Sequence, residues 1–182
     1  FVQGAEILDA VDIMFYIDQS GSMADDKSRL EDAAELFMAD LSQSAADYQV
    51  MVVTSDLGCH NNTIITPDTP NADATFSDIV NVGICGTAFE MGLGSARLAL
   101  QHAQTGAYNT GFIRDSAYLS LIFVSDEQDA SPLPVNEYIN EFRDAKSGGD
   151  RESVIASALV VEDKTDCNAQ QQAAAVVGTR YM

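Results

Sequence analysis

Short apolar runs alternate along the chain with segments whose apolar residues recur every three or four positions. The runs have the length and content of strands covered on both faces, and they occupy residues 11–17, 49–54, 118–124 and 154–161. Helical spacing marks the segments 28–45, 87–103, 135–145 and 169–182. This alternation predicts an α/β fold: a doubly wound, mostly parallel sheet with helices on both faces, joined by right-handed crossovers.

The boundaries are marked by glycine and proline. Residues 61–73 are polar and contain two prolines and a short β-prone piece, which predicts an edge hairpin followed by a loop. We expect the second helix to begin at the Gly86-Thr87 turn and the third to be stopped by Gly148-Gly149.

Length and charge limit the possible functions. With 182 residues and 46% hydrophobic content, residues 1–182 are expected to form a single domain with one sizeable core. A net charge of -19 disfavours nucleic acid and anionic membrane surfaces as partners. No run of 18 apolar residues could span a bilayer, and the start at Phe1 without a signal segment suggests a mature or excised fragment.

Three cysteines allow one disulfide and leave one thiol. Cys59 and Cys85 both fall in turn-rich surroundings and are the preferred pair, which leaves Cys167 over. The chain has no C-x-x-C motif and no Cys/His cluster of the kind that binds zinc.

The end of the first apolar run carries the candidate chemistry. Asp18 closes the run, and Ser20 and Ser22 follow on either side of Gly21. Hard oxygen donors gathered in this way suit Mg²⁺, Ca²⁺ or Mn²⁺ better than zinc or copper. The alternative is an ordinary Ser/Gly turn that caps the next helix.

This D-x-S-G-S pattern after a buried strand resembles the metal-ion-dependent adhesion site of von Willebrand factor type A domains. Residues 86–93 (GTAFEMGL) and 121–126 (LIFVSD) are similar to the second and third loops of that site. The resemblance implies that hydroxyl groups bind the metal and that carboxylates act directly or through water; the implied residues are Asp18, Ser20, Ser22, Thr87 and Asp126. Read singly, Thr87 could be only a helix cap and Asp126 only a turn residue.

The resemblance also implies a function. A cation held largely by neutral hydroxyls keeps positive charge and accepts an acidic side chain from a protein partner, which is the basis of adhesion. Residues 81–83, 111–115, 123–127 and 180–182 look like a secreted bacterial branch of the family, in which a further strand and helix usually follow. We therefore expect an exported, cell-surface or extracellular domain, lacking its last strand and helix, from a larger protein with other domains.

Two other functions are compatible with parts of this pattern. Haloacid-dehalogenase-like phosphatases need D-x-D-x-T after the first strand, whereas this chain has Gln19 and Ser20 after Asp18, so the second acid is missing. Nucleophile-elbow and phosphate-loop motifs are absent, and we do not expect an enzyme. A structural module that uses its metal only for stability remains an alternative. Glu90, Glu127 and Asp129, near the three loops, are expected mainly to be solvated surface residues.

Overall fold

The computed structural model describes residues 10–44, 46–54, 63–82, 90–106, 108–146 and 153–160. Its strands are β1 (Ala10–Ile17), β2 (Asp47–Val53), β3 (Tyr118–Ser125) and β4 (Val154–Val160). They form one parallel sheet in the order β2-β1-β3-β4. The predicted α/β fold with a parallel sheet is confirmed, and all four strands lie within two residues of their predicted bounds. The final predicted helix, residues 169–182, lies outside the described residues.

The strand order reverses direction beside β1. The chain moves from β1 to β2 on one side and then returns to place β3 on the other side. In open α/β sheets, ligands bind beyond the carboxyl ends of the strands at such a switch point. A ligand site is therefore expected among the residues that directly follow β1 and β3.

Side chains of β1 alternate between two hydrophobic cores, as the two-residue period of a strand requires. Met14 and Tyr16 pack with α3 (Gly92–Thr105) and α4 (Val135–Asp144) on one face. Ile13, Phe15 and Ile17 pack on the other face with α1 (Lys27–Gln43) and α2 (Ala72–Val80). The sheet is thus covered on both faces, which explains why its central strands are mostly apolar on both sides.

Helix α2 was not predicted, and it begins within the segment read as loop. Its buried residues, Phe76, Ile79 and Val80, have helical spacing, but nine residues give a weak signal beside two prolines. Before α2, Ile65 forms an isolated antiparallel bridge with Val50 of β2, with both N–H to O distances at 2.8 Å. Within described residues 63–73, the predicted edge hairpin is represented by this single bridge.

Helix α3 begins at Gly92, later than predicted, because Glu90 and Met91 are not helical. The first amide groups of a helix have no partner within it. Here the Leu93 amide donates to Asp129 Oδ2 (2.9 Å) and the Gly94 amide donates to Ser131 Oγ (2.9 Å). Both acceptors come from the segment after β3, so tertiary contacts fix where α3 starts.

An ion pair fastens the amino-terminal ends of the central strands. Asp12 is fully buried and accepts hydrogen bonds from the Arg114 amide and from Arg114 Nε, both at 2.7 Å. Arg114 also donates to the carbonyl oxygens of Val11 and Asp47, each at 3.1 Å, and pairs with the Asp47 carboxylate. Lys146 Nζ donates to the Arg114 carbonyl oxygen. No helix in the described part of the chain is long and apolar enough to cross a membrane.

Candidate metal centre

Asp18 lies at the carboxyl end of β1 and is fully buried. Its amide donates to the Val124 carbonyl oxygen of β3 (3.0 Å), which continues the strand pairing by one residue. Asp18 Oδ1 accepts from the Ser20 amide and Oδ2 accepts from Ser125 Oγ, both at 2.6 Å. The carboxylate is therefore held rigidly between the first loop and the end of β3.

Three oxygen atoms converge in front of Asp18. Ser20 Oγ and Ser22 Oγ are 2.7 Å apart. Asp126 Oδ1 lies 3.1 Å from Ser22 Oγ and 3.5 Å from Ser20 Oγ. Two loops separated by more than 100 residues thus deliver their predicted site residues to one place, at the switch point between β1 and β3.

The first loop continues into a short 3-10 helix, Gly21–Asp25, which contains Ser22. Ser20 precedes it in an extended conformation, so its side chain and that of Ser22 both reach Asp126. Ser20 is 5% exposed, whereas Ser22 is on the surface and Asp126 is half-buried. The group of oxygens is therefore open to solvent on the side of Ser22 and buried on the side of Ser20.

The negative charge at this place comes from carboxylates in both loops. The ion pairs of the described residues involve neither Asp18 nor Asp126. Glu127 adds a further carboxylate, with Oε1 at 3.3 Å from Ser22 Oγ. A cation from solution would therefore meet the carboxylates of Asp18 and Asp126, neither of which forms an ion pair with a basic side chain of the described residues.

The donor set fits a hard divalent cation. Neighbouring ligands in an octahedral shell lie about 3.0 Å apart around Mg²⁺ and about 3.4 Å apart around Ca²⁺, from metal to oxygen distances of about 2.1 and 2.4 Å. The separations among Ser20, Ser22 and Asp126, from 2.7 to 3.5 Å, fall around these values. No group of three or more His, Cys, Asp or Glu suited to a metal occurs among the described residues, so a site here depends on hydroxyls.

The second loop is only partly described. Thr87, Cys59 and Cys85 lie outside the described residues, so the role of Thr87 and the Cys59–Cys85 disulfide stay predictions. On either side of that gap, Val82 accepts a hydrogen bond from Gln19 Nε2 (2.7 Å), and Glu90 Oε2 accepts one from the Tyr16 hydroxyl (2.9 Å).

Two carboxylates near the loops have roles that the sequence did not indicate. Glu90 was expected to be a solvated surface residue, but it is 1% exposed and this expectation is wrong. Asp129 is half-buried and accepts the Leu93 and Ser131 amides, at 2.9 and 2.8 Å. The only sequence signal for Glu90 is its place two residues before the Gly-Leu pair that opens α3.

The fold and this group of oxygens define a parallel α/β domain with a hydroxyl-rich site at its switch point. The sequence profile of the von Willebrand factor type A domain matches residues 13–128, which is well over half of the chain. The chain therefore belongs to the von Willebrand factor type A domain family, whose members are generally non-enzymatic and mediate interactions between proteins. No curated protein matches the sequence significantly.

One solved structure supports the fold, and a second is reported beside it. One structure of proximal thread matrix protein 1 from the mussel byssus, with a zinc-occupied metal-ion-dependent adhesion site motif, has a TM-score of 0.50 and 13% identity. The match covers 93% of this chain and 46% of that chain. Another structure of the same mussel protein has a TM-score of 0.49 and 13% identity, over 84% and 37% of the two chains. This chain thus spans less than half the length of the mussel protein.

Proposed function

We propose that this domain is a protein-binding module that depends on a divalent cation, Mg²⁺ or Ca²⁺ with Mn²⁺ as a substitute. Ser20, Ser22 and Thr87 would contact the ion through their hydroxyl groups, and Asp18 and Asp126 would act directly or through water. The observation that carries the proposal is the convergence of Ser20 Oγ, Ser22 Oγ and Asp126 Oδ1 within 3.5 Å of one another, in front of buried Asp18.

The exposure of the site favours a partner-binding role over a purely structural one. Ser22 and Gly21 lie on the surface, and Asp126 is half-buried. A cation used only for stability is expected to be enclosed and saturated by protein ligands. When bound here, the cation would supply positive charge at an accessible surface, where it attracts a carboxylate of a partner protein. This attraction would allow a domain of net charge -19 to bind an acidic partner.

The biological setting rests on sequence resemblance and on the family. Residues 123–127 and 111–115 look like those of a secreted bacterial branch, and the family is common in extracellular proteins. We propose an exported adhesion domain, at the cell surface or outside the cell, within a larger protein.

Calorimetric titration of the chelator-treated domain with Mg²⁺, Ca²⁺, Mn²⁺ and Zn²⁺ tests the site. We expect saturable binding at one site, abolished by Asp126→Ala and weakened at least about tenfold by Ser22→Ala. Ser28→Ala, an exposed serine on α1, is the matched control and should bind as wild type. Absence of binding in the wild type would overturn the proposal. Tighter binding of Zn²⁺ than of Mg²⁺ or Ca²⁺ would contradict the proposed choice of ion and would match the zinc-occupied site of the mussel protein.

A second measurement tests whether the bound ion accepts a carboxylate from a partner protein. With Mn²⁺ bound, water proton relaxation reports water molecules that exchange on the ion. A glutamate-containing peptide that occupies an open position should displace such water and lower the relaxation rate, whereas the matched glutamine peptide should not. An unchanged rate with bound Mn²⁺ would support the structural alternative, a metal site without a partner.

A further inference from the structure

A carboxylate lies in the hydrophobic core next to the candidate metal centre. Glu90 and Tyr16 are each 1% exposed, and the Tyr16 hydroxyl donates to Glu90 Oε2 at 2.9 Å. Tyr16 also packs against Phe123 of β3, with ring centroids 6.2 Å apart. Glutamate is rarely buried to this extent unless its carboxylate is held by hydrogen bonds. Tyr16 is two residues before Asp18, so this bond ties Glu90 to the strand that delivers Asp18.

The backbone of Glu90 is attached to the third loop. Its carbonyl oxygen accepts a hydrogen bond from the Ala130 amide at 2.6 Å. Ala130 is four residues beyond Asp126, and Asp129 binds the Leu93 amide in the same region. Glu90 therefore contacts both polypeptide segments that carry the described site residues.

Glu90 also stands at one edge of the second loop. It follows Thr87 by three residues, a distance of at most about 11 Å along an extended chain. At the other edge, Val82 is held by Gln19, the neighbour of Asp18. Both flanks of the loop that carries Thr87 are thus bonded to residues within two positions of Asp18.

We infer that Glu90 is a positioning residue of the proposed metal site: through Tyr16 and Ala130 it fixes the first and third loops relative to one another. The inference rests on the proposed function, since it concerns the affinity of the same site. Groups that orient metal ligands from outside the coordination shell typically change metal affinity by 10- to 100-fold when they are removed. Glu90 acts by hydrogen bonding, so a neutral side chain that still accepts the Tyr16 hydroxyl should suffice.

The test compares metal affinity with the stability of the metal-free protein. Calorimetry with Mg²⁺ and Ca²⁺ would be run on wild type, Tyr16→Phe, Glu90→Leu and Glu90→Gln, and urea unfolding would be measured in chelator. Tyr138→Phe is the control, because Tyr138 is equally buried in the same core and its hydroxyl accepts the Leu133 amide at 3.3 Å.

We expect Tyr16→Phe and Glu90→Leu to weaken metal binding about tenfold, Glu90→Gln to stay within threefold of wild type, and Tyr138→Phe to bind normally even if it is destabilised. Wild-type affinity in Tyr16→Phe and Glu90→Leu would overturn the inference while leaving the proposed function intact, as would an equal loss in Tyr138→Phe. Absence of binding by the wild type would overturn both. If Glu90→Leu fails to fold, Tyr16→Phe decides, since it removes a single oxygen.

Discussion

An aspartate is buried at each end of β1, and the two carboxylates differ in the groups that donate hydrogen bonds to them. Asp12 and Asp18 are both fully buried; Asp12 lies near the start of β1, and Asp18 directly follows its last residue. Asp12 accepts two hydrogen bonds from Arg114, whose guanidinium also pairs with Asp47. Asp18 accepts hydrogen bonds from neutral groups, the Ser20 amide and the Ser125 hydroxyl.

The difference separates a carboxylate used for structure from one kept for a ligand. At the amino-terminal end, charge is neutralised within the chain, because a guanidinium bridges β1 and β2. At the carboxyl end, Asp18 and Asp126 form no ion pair with a described residue, so negative charge remains for a cation from solution. Burial alone therefore does not identify the functional aspartate, whereas the nature of its hydrogen-bond donors does.

The largest expected effect is on stability at the amino-terminal end. Asp12→Ala leaves Arg114 without its buried partner and should lower the free energy of unfolding by about 3–5 kcal/mol. Asp18→Ala, measured in chelator, leaves two donors without an acceptor and should cost about 1–3 kcal/mol. Urea unfolding provides both values.

The same two variants should have the opposite order of effects on metal affinity: Asp18→Ala should lose more than Asp12→Ala. Asp12→Ala, at a temperature where it is folded, should keep wild-type affinity for Mg²⁺ or Ca²⁺, while Asp18→Ala should lose it. Equal metal affinity in the two variants would remove the functional distinction between the two ends of β1.

A smaller expected effect is a pH dependence of the free energy of unfolding that arises from Asp12. Burial raises the pKa of Asp12 above its ordinary value of 3.8, although hydrogen bonds and the charge of Arg114 act in the opposite direction. Between pH 3.8 and the folded-state pKa, the folded protein then binds more protons than the unfolded protein. Stabilisation from this group is complete below pH 3.8 and is lost as the pH rises through the folded-state pKa.

The advantage of wild type over Asp12→Asn in free energy of unfolding should therefore decrease between pH 3 and pH 7. Subtracting the two urea unfolding series in chelator removes the contribution of the other carboxylates. An advantage that grows with pH would mean that the attraction of Arg114 outweighs the burial of Asp12.

The smallest effect is expected at the edge of the metal centre. Glu127 is exposed and places Oε1 3.3 Å from Ser22 Oγ, so it adds negative charge next to the site. Glu127→Gln should lower Ca²⁺ affinity by about two- to fivefold, and less at high salt, because exposed charges interact weakly and are screened. Calorimetry at two salt concentrations measures this, with Glu35→Gln on α1 as the control. A salt-independent loss would indicate direct coordination by Glu127.

The sequence predicted the parts of the molecule that have a local pattern. Continuous apolar runs revealed all four strands, and the endings of β1 and β3 placed Asp18 and Asp126 at one edge of the sheet. Family resemblance added Ser20, Ser22 and Thr87 to these aspartates as expected metal ligands, and the structure places Ser20 Oγ and Ser22 Oγ within 3.5 Å of Asp126 Oδ1.

Features set by tertiary contacts were not predictable. Glu90 reads as a surface residue because no local pattern shows that its carboxylate meets Tyr16, 74 residues away. The start of α3 at Gly92 depends on Asp129 and Ser131, which come from a distant loop. Helix α2 did carry a helical signal at Phe76, Ile79 and Val80, but its short length and the preceding prolines favoured a loop.

The antiparallel bridge between Ile65 and Val50 has a consequence for how the molecule behaves in a crowded solution. β2 lies at one edge of the described sheet, and exposed edge strands are templates for pairing with another copy of a chain. Ile65 is fully buried and uses both the N–H and the C=O of Val50. At the middle of β2, the chain therefore occupies its own edge and blocks aggregation that would begin there.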